Sequence, residues 1–400
     1  MRRAVIVLFG APHRVMFFGG IVFLLAAAIA WAGELGARLA GTTLFPPPPG
    51  WLHAAVLVFA VLPFFIFGFA MTAMPRWQGL PEIAPRLYRS VFALMAAGVL
   101  GVFAAPWIPA LAGPALVMVA AGWAGGAAKL TRIALHPVPG RMHLVLVAAA
   151  LWAGLAGIGC LIGAAFTGWI DLLGAAVEIG LWWFLVPLMA SVSHRVIPFF
   201  TASALPGYAV RRPRWALYVI LVASILHGAL GLSGLRDWSW LVDAPAAIAA
   251  LTLSWRWNLR DGLRAGLAAM HHVAFAWLGI AEALFALQGV LAAAGVRGLG
   301  LAPLHALTIG FFGTLVLGMV TRVMLGHSGV PVKADSRLWV QLWGLQAVVL
   351  LRMAAEFASG AAAGLAFAAA CGWAAVFAAW GWRFAPLTWR ARADGRPGRA

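Results

Sequence analysis

The sequence predicts an all-α polytopic membrane protein of about twelve transmembrane helices with both termini cytoplasmic. Three observations predict it. The chain is 64% apolar with only 10% charged residues, whereas about a quarter of the residues of a soluble domain are charged. The apolar residues fall in runs long enough to cross a bilayer, for which about 20 residues suffice. Lys and Arg collect in every second gap between those runs, as loops retained on the cytoplasmic side do. The 46 glycines and 21 tryptophans suit the same class, since small residues let helices approach closely and Trp favours the membrane interfaces.

The segments follow in order. Segment 1, at 15–40, opens after Arg2, Arg3 and Arg14 and closes at "GTTLFPPPPG". Segment 2, at 51–74, returns to Arg76, Arg86 and Arg89. Segments 3 and 4, at 86–107 and 110–128, turn at "APWIPALAG" and lead back to Lys129, Arg132 and Arg141. Segments 5 and 6, at 142–166 and 171–196, turn at "FTGWID" and return to Arg211, Arg212 and Arg214, with Pro198 expected to stop the sixth. Segments 7 and 8, at 213–233 and 238–256, turn at Arg236 beside Asp237 and return to Arg256, Arg260 and Arg264. Segments 9 and 10, at 265–293 and 302–325, enclose a lone Arg297 and return to Lys333 and Arg337. Segments 11 and 12, at 337–358 and 361–384, turn at "ASGAA" and end in a basic tail reaching Arg399. Residues 1–385 read as one transmembrane domain and 386–400 as a disordered, lipid-facing tail.

Several classes fall away. A net charge of +17 would suggest nucleic acid in a soluble protein, but here the cations sit in the short gaps and set topology, so the partner is the lipid bilayer. Cys160 and Cys371 lie inside apolar runs with no CxxC or CxxCH, which argues against disulfide scaffolds, thiolate metal sites and covalent haem. The first apolar stretch is too short for a signal peptide, so segment 1 is expected to stay.

Ionisable groups inside spans are costly and are functional by default. His53 enters segment 2 and His305 enters segment 10 from the outer side, where the two can face one another. His327 stands at the other end of segment 10, about 33 Å further along a continuous helix, so it belongs to a different layer. His194, His272 and His327 fall at similar inner depths on three segments, and three imidazoles suit copper or zinc. Arg195, beside His194, offers a planar fork for a haem propionate or a lipid phosphate. His271 reads as a neighbour of the site, and His136 and His143 as interfacial residues. Glu34 with Arg38 and Arg352 with Glu356 are i, i+4 pairs. Glu178 and Glu282 lack a partner near in sequence and are open to three readings, a protonated acid, a proton relay or a pair with a buried Arg, of which the pair is favoured. No chain of acids leads in from the cytoplasm, and no Tyr follows a His at four residues. Both absences argue against a proton-pumping oxygen reductase.

The stretch "HALTIGFFGTLVLGMVTRVMLGHSGVP" at 305–331, with "RVIPFFT" at 195–201, "GFAMTAMPRWQG" at 68–79 and "HHVAFAWLG" at 271–279, resembles the signatures of the NnrS family across essentially the whole chain. "HAAVL" at 53–57 departs from the family's commoner HAHEM and resembles a subgroup with "PHR" near its start. The resemblance implies a bacterial inner-membrane, multi-pass protein containing haem and copper and linked to nitric oxide stress and denitrification. It also implies an analogy with haem–copper oxidase main subunits, which carry low-spin haem on histidines of helices 2 and 10. On that footing haem b is expected between His53 and His305, and copper at His194, His272 and His327. Arg195 and Arg322 are expected to hold acidic groups, with nitric oxide and an electron donor as partners. A transporter with a histidine-lined path for a small solute or metal ion is the alternative.

Overall fold

A computed structural model describes residues 2–45, 49–137 and 140–395. The side chains of Arg2 and Arg3 and the tail from 396 onward, with Arg399, lie outside the described residues. No strand is present among them, and every long apolar run is helical. We number the helices α1 Pro12–Leu39, α2 Gly50–Trp77, α3 Pro85–Ala104, α4 Pro109–Ala134, α5 Met142–Thr167, α6 Asp171–Ala204, α7 Arg214–Leu232, α8 Trp240–Arg256, α9 Ala268–Ala293, α10 Ala302–His327, α11 Ser336–Ala354 and α12 Ala362–Trp389. Ten of these are long and apolar enough to cross a membrane. The other two are α8, with 17 residues, and α11, which carries Arg337, Gln341, Gln346 and Arg352.

Local chemistry explains the ends. Pro12 and Pro85 stand in the first turns of α1 and α3, where a missing N–H costs nothing. Gly168 closes α5 in the left-handed region at φ 72°, which a residue with a Cβ adopts only at a cost. Asp335 caps α11 by accepting from the Leu338 N–H at 3.0 Å, and the Arg383 guanidinium beside it holds its carboxyl below the usual carboxylate range. Pro198 does not stop α6, contrary to the expectation from sequence. The helix continues to Ala204, because burial of Val196, Ile197 and Thr201 on its packed face outweighs the one backbone bond that proline forfeits.

Glycine governs how the helices meet. At Gly98 of α3 a Cβ would fall 2.8 Å from the Val119 backbone of α4, and at Gly279 of α9 it would fall 2.7 Å from Leu251 of α8. Gly310 and Gly318 of α10 take Trp277 and Met270 of α9, and Gly381 of α12 meets Ile21 of α1, which brings the last helix against the first. The tail expected to be disordered is helical over Pro386–Trp389 and packs beneath the bundle. Arg14 donates from Nη1 to the carbonyls of Leu387, Thr388 and Arg390, and the Ala393 N–H donates to Ser328 O at 2.9 Å. We call this end, which holds the first and last described residues and most of the described basic residues, the inner end, and its opposite the outer end.

Three stretches depart from α geometry. Val56–Val61 in α2, Ile179–Leu185 in α6 and Ala306–Gly313 in α10 are π-helical. Such segments are rare and concentrate at functional sites. Two of them begin within three residues of His53 and His305, and the third packs on the first, Gly180 lying against Val58 and Phe59.

Candidate functional site

The π segment after His53 shifts the register of α2, and the half-buried imidazole above it stacks on Trp31 of α1, with centroids 4.1 Å apart and planes at 16°. His305 has its ring fixed from within its own helix, because Nδ1 lies 2.8 Å from Leu301 O. A carbonyl only accepts, so Nδ1 carries the proton and Nε2 presents a lone pair. His53 and His305 lie within electrostatic reach of one another, and Arg352 of α11 lies within reach of both. Arg352 also donates to Glu356 at 2.6 Å, and Glu34 accepts from Arg38 at 2.7 Å, as their spacing predicts. An apolar cavity of about 70 Å³ adjoins His53 between Trp31, Phe103 and Trp107, and a larger one of about 360 Å³ runs along the next turns of α2, past Ala55 and Phe59. The smaller cavity is lined by His53 and neither cavity by His305, and Glu356, paired with Arg352, also lies within reach of His305. Two imidazoles and a guanidinium beside apolar space suit a flat apolar group bearing carboxylates.

The inner set is not assembled as expected. His194, His272 and His327 are not brought together, and among the described residues no group of three or more His, Cys, Asp or Glu stands close enough to hold a metal ion. The physical reason is that each ring is engaged by a different neighbour. His194 Nε2 lies 3.3 Å from Pro213 O and must donate, so Nδ1 accepts from His143 Nε2 at 2.9 Å. Both nitrogens are consumed. His143 is thus a buried partner rather than an interfacial residue, joined across 51 residues of sequence.

His327 has moved to another partner, His13, whose ring centroid is 4.3 Å away. Its Nε2 accepts from Arg76 Nη1 at 3.4 Å, while Arg392 donates to its carbonyl at 3.1 Å. "PHR", "PRW" and "LGH", distant in sequence, therefore converge at the inner end. With Arg14, Arg76 and Arg392 around it, this pair repels a metal cation rather than attracting one.

His271 and His272 differ from the rest. His271 Nδ1 donates to Leu267 O at 3.1 Å. His272 Nε2 lies 2.8 Å from Thr201 Oγ1, whose own proton goes to Ile197 O, so His272 donates. The remaining nitrogens, His271 Nε2 and His272 Nδ1, are buried with no partner among the described residues. Both lone pairs are open to a donor or a metal, with His271 set against Gly318 and within reach of Arg322, and His272 set against Gly262 and Thr201.

Arg195 lies over Trp77 at 4.4 Å, and Arg322 lies over Phe200 at 3.9 Å and donates to Ser203 Oγ. Arg322 is roughly 25 Å along α10 from His305, so neither cation serves the outer pair. Arg352, read from sequence only as half of an i, i+4 pair, is the one that does. Glu178 finds its cation in Arg236, as expected. Glu282 does not; its charged neighbour is Asp243, an acid inside segment 8 that sequence reading passed over.

A family model described as NnrS protein matches residues 7–392, nearly the whole chain. No curated protein matches it.

Proposed function

We propose that this chain, which belongs to the NnrS family, is a haem- and copper-binding protein of the bacterial cytoplasmic membrane that responds to or removes nitric oxide, with haem b between His53 and His305. Membership of the family is consistent with a nitric oxide role. The observation that carries the haem assignment is the His305 ring, oriented by the Leu301 carbonyl with Nε2 free and set beside His53. Metal-bound histidines are commonly held through the other ring nitrogen in this way. Arg352 supplies the cation for a haem carboxylate, the role the sequence had suggested for Arg195 and Arg322. Haem would contribute one-electron chemistry and an iron that binds nitric oxide when one imidazole yields.

Copper is reassigned from the dispersed trio to His271 and His272. Their unpartnered nitrogens support this, since a buried acceptor without a partner costs about 1–3 kcal/mol and a bound metal removes that cost.

The test is to titrate the reduced, purified protein with nitric oxide while following its visible absorption. The proposal expects saturable band shifts at one nitric oxide per haem. Bands that do not respond would remove nitric oxide from the account.

A further inference from the structure

The outer end holds a polar cluster that the proposed function leaves unused. His227 of α7 is buried, its ring 3.5 Å from that of Trp182 and 5.2 Å from that of Phe285. Its Nδ1 lies 2.7 Å from Asp243 Oδ1 of α8. Asp243 is fully buried, and its second oxygen has no partner among the described residues. Glu282 of α9, 2% exposed, lies within electrostatic reach of Asp243, and its Oε1 is likewise unpartnered. Of the nearby cations, Arg236 is engaged by Glu178 of α6, and Arg297 stands in the loop beyond α9. Above the cluster, a cavity of about 370 Å³ is lined by His227, Arg236, Asp237, Gln288 and Arg297.

The packing sets the depths. Trp240 against Gly289 and Leu251 against Gly279 fix α8 antiparallel to α9, which places Glu282 about one turn deeper than Asp243. Trp277 against Gly310 and Met270 against Gly318 fix α9 against α10, which places Glu282 at the level of His305. The order from the outer surface is therefore cavity, His227, Asp243, Glu282.

Asp243 and Glu282 are both buried and within electrostatic reach of one another, and the one positive charge available beside Asp243 among the described residues is a protonated His227. The two carboxylates therefore do not both stay ionised beside a neutral imidazole. Something positive must sit with them. His227 can supply that charge only as an imidazolium, which makes the proton the cation in question. We infer that His227, Asp243 and Glu282 form a proton-binding site loaded from the outer cavity. The imidazole takes a proton at Nε2 and passes the one on Nδ1 to Asp243 Oδ1. The proton is then distributed between Asp243 and Glu282, which lie within electrostatic reach of one another and whose Oδ2 and Oε1, respectively, are without a partner among the described residues. No electrons move; the imidazole is left protonated at Nε2 and bare at Nδ1, and must return to the Nδ1–H form by ring rotation or tautomerisation before it takes up another proton. The inference stands apart from the haem assignment and is tested without it.

The experiment is infrared difference spectroscopy of the full-length protein in lipid nanodiscs at neutral pH, on transfer from H2O to D2O. A protonated carboxylic acid gives a C=O band that shifts down on deuteration. The site predicts such a band in wild type, shifting as fast as mixing allows, and lost in Glu282→Gln or in Asp243→Asn. Glu282→Asp, the milder change, moves the band. His227→Phe keeps a ring on Trp182 and keeps the band, but loses its fast shift. Absence of the band in wild type, its survival in both Glu282→Gln and Asp243→Asn, or an undiminished rate in His227→Phe would overturn the inference.

Discussion

Substitution of Gly180 by alanine tests whether the π segments set the haem site. Phe59, six residues beyond His53, is held between Gly157 of α5 and Gly180 of α6. A Cβ at Gly180 would stand 2.6 Å from Phe59 Cζ and 2.6 Å from Val58 Cγ1. Carbon atoms prefer about 3.5–4.0 Å, so the overlap is about 1 Å against two side chains of the π segment of α2. Phe59 is also held on its other side by Gly157, so it yields only towards the cavity along α2. Overpacking of this kind costs about 1–3 kcal/mol, and about 1.4 kcal/mol is tenfold in an equilibrium. Gly180→Ala should therefore lower thermal stability in detergent and lower the haem retained per chain, since α2 must shift with His53 on it. The control is Gly159→Ala, where a Cβ meets nothing within 4 Å. That change should be neutral or stabilising by up to about 1 kcal/mol. Equal stability and haem content in the two variants would refute the reasoning.

Other predictions follow from the same contacts. His271→Ala and His272→Ala should each reduce bound copper measured by elemental analysis while sparing haem, and His194→Ala should leave copper unchanged because both its nitrogens are already bonded. Arg352→Gln should lower the haem midpoint potential in a redox titration, because removing a nearby cation disfavours the reduced iron; an unchanged potential would move Arg352 away from the haem. Asp335→Ala should cost about 1 kcal/mol of stability through the lost helix cap. Because contact with Arg383 lowers the Asp335 carboxyl below its unfolded range, that contribution is present at neutral pH and disappears as pH falls through the lowered value. Wild type and variant should therefore converge in acid. Arg14→Gln removes three carbonyl bonds to the C-terminal segment and should speed proteolytic removal of that segment.

Much of the fold was legible because a bilayer allows so few solutions. Runs of about 20 apolar residues separated by alternating basic gaps marked most of the long helices to within a few residues. α4 runs six residues past its expected end to Ala134, packing carried α6 past Pro198, and the short helices Arg2–Leu8 and Leu259–Gly262 have no such run. The π segments were not legible, since "VLVFAV" and "ALTIGFFG" have no composition that separates an i→i+5 turn from an α turn. For the site, depth alone paired His53 with His305. Depth could not group the inner histidines, because ring partnerships depend on rotation about each helix. His143 meets His194 and His13 meets His327 across distances in sequence that no periodicity encodes. At "HH", 271–272, the i−4 carbonyl of Leu267 accepts from His271 Nδ1, a local contact, whereas the bond from His272 to Thr201 joins two helices and is not encoded in the spacing. Asp243 carries the same signal as Glu282, an acid inside an apolar segment.

The most direct test of the central claim is the reduced-minus-oxidised optical spectrum of the purified wild type beside His53→Ala and His305→Ala, with iron determined on the same samples. The account predicts the split α and β bands of a bis-histidine haem b with one iron per chain in wild type, and loss or conversion of those bands in each variant. Unchanged bands in both variants would contradict it.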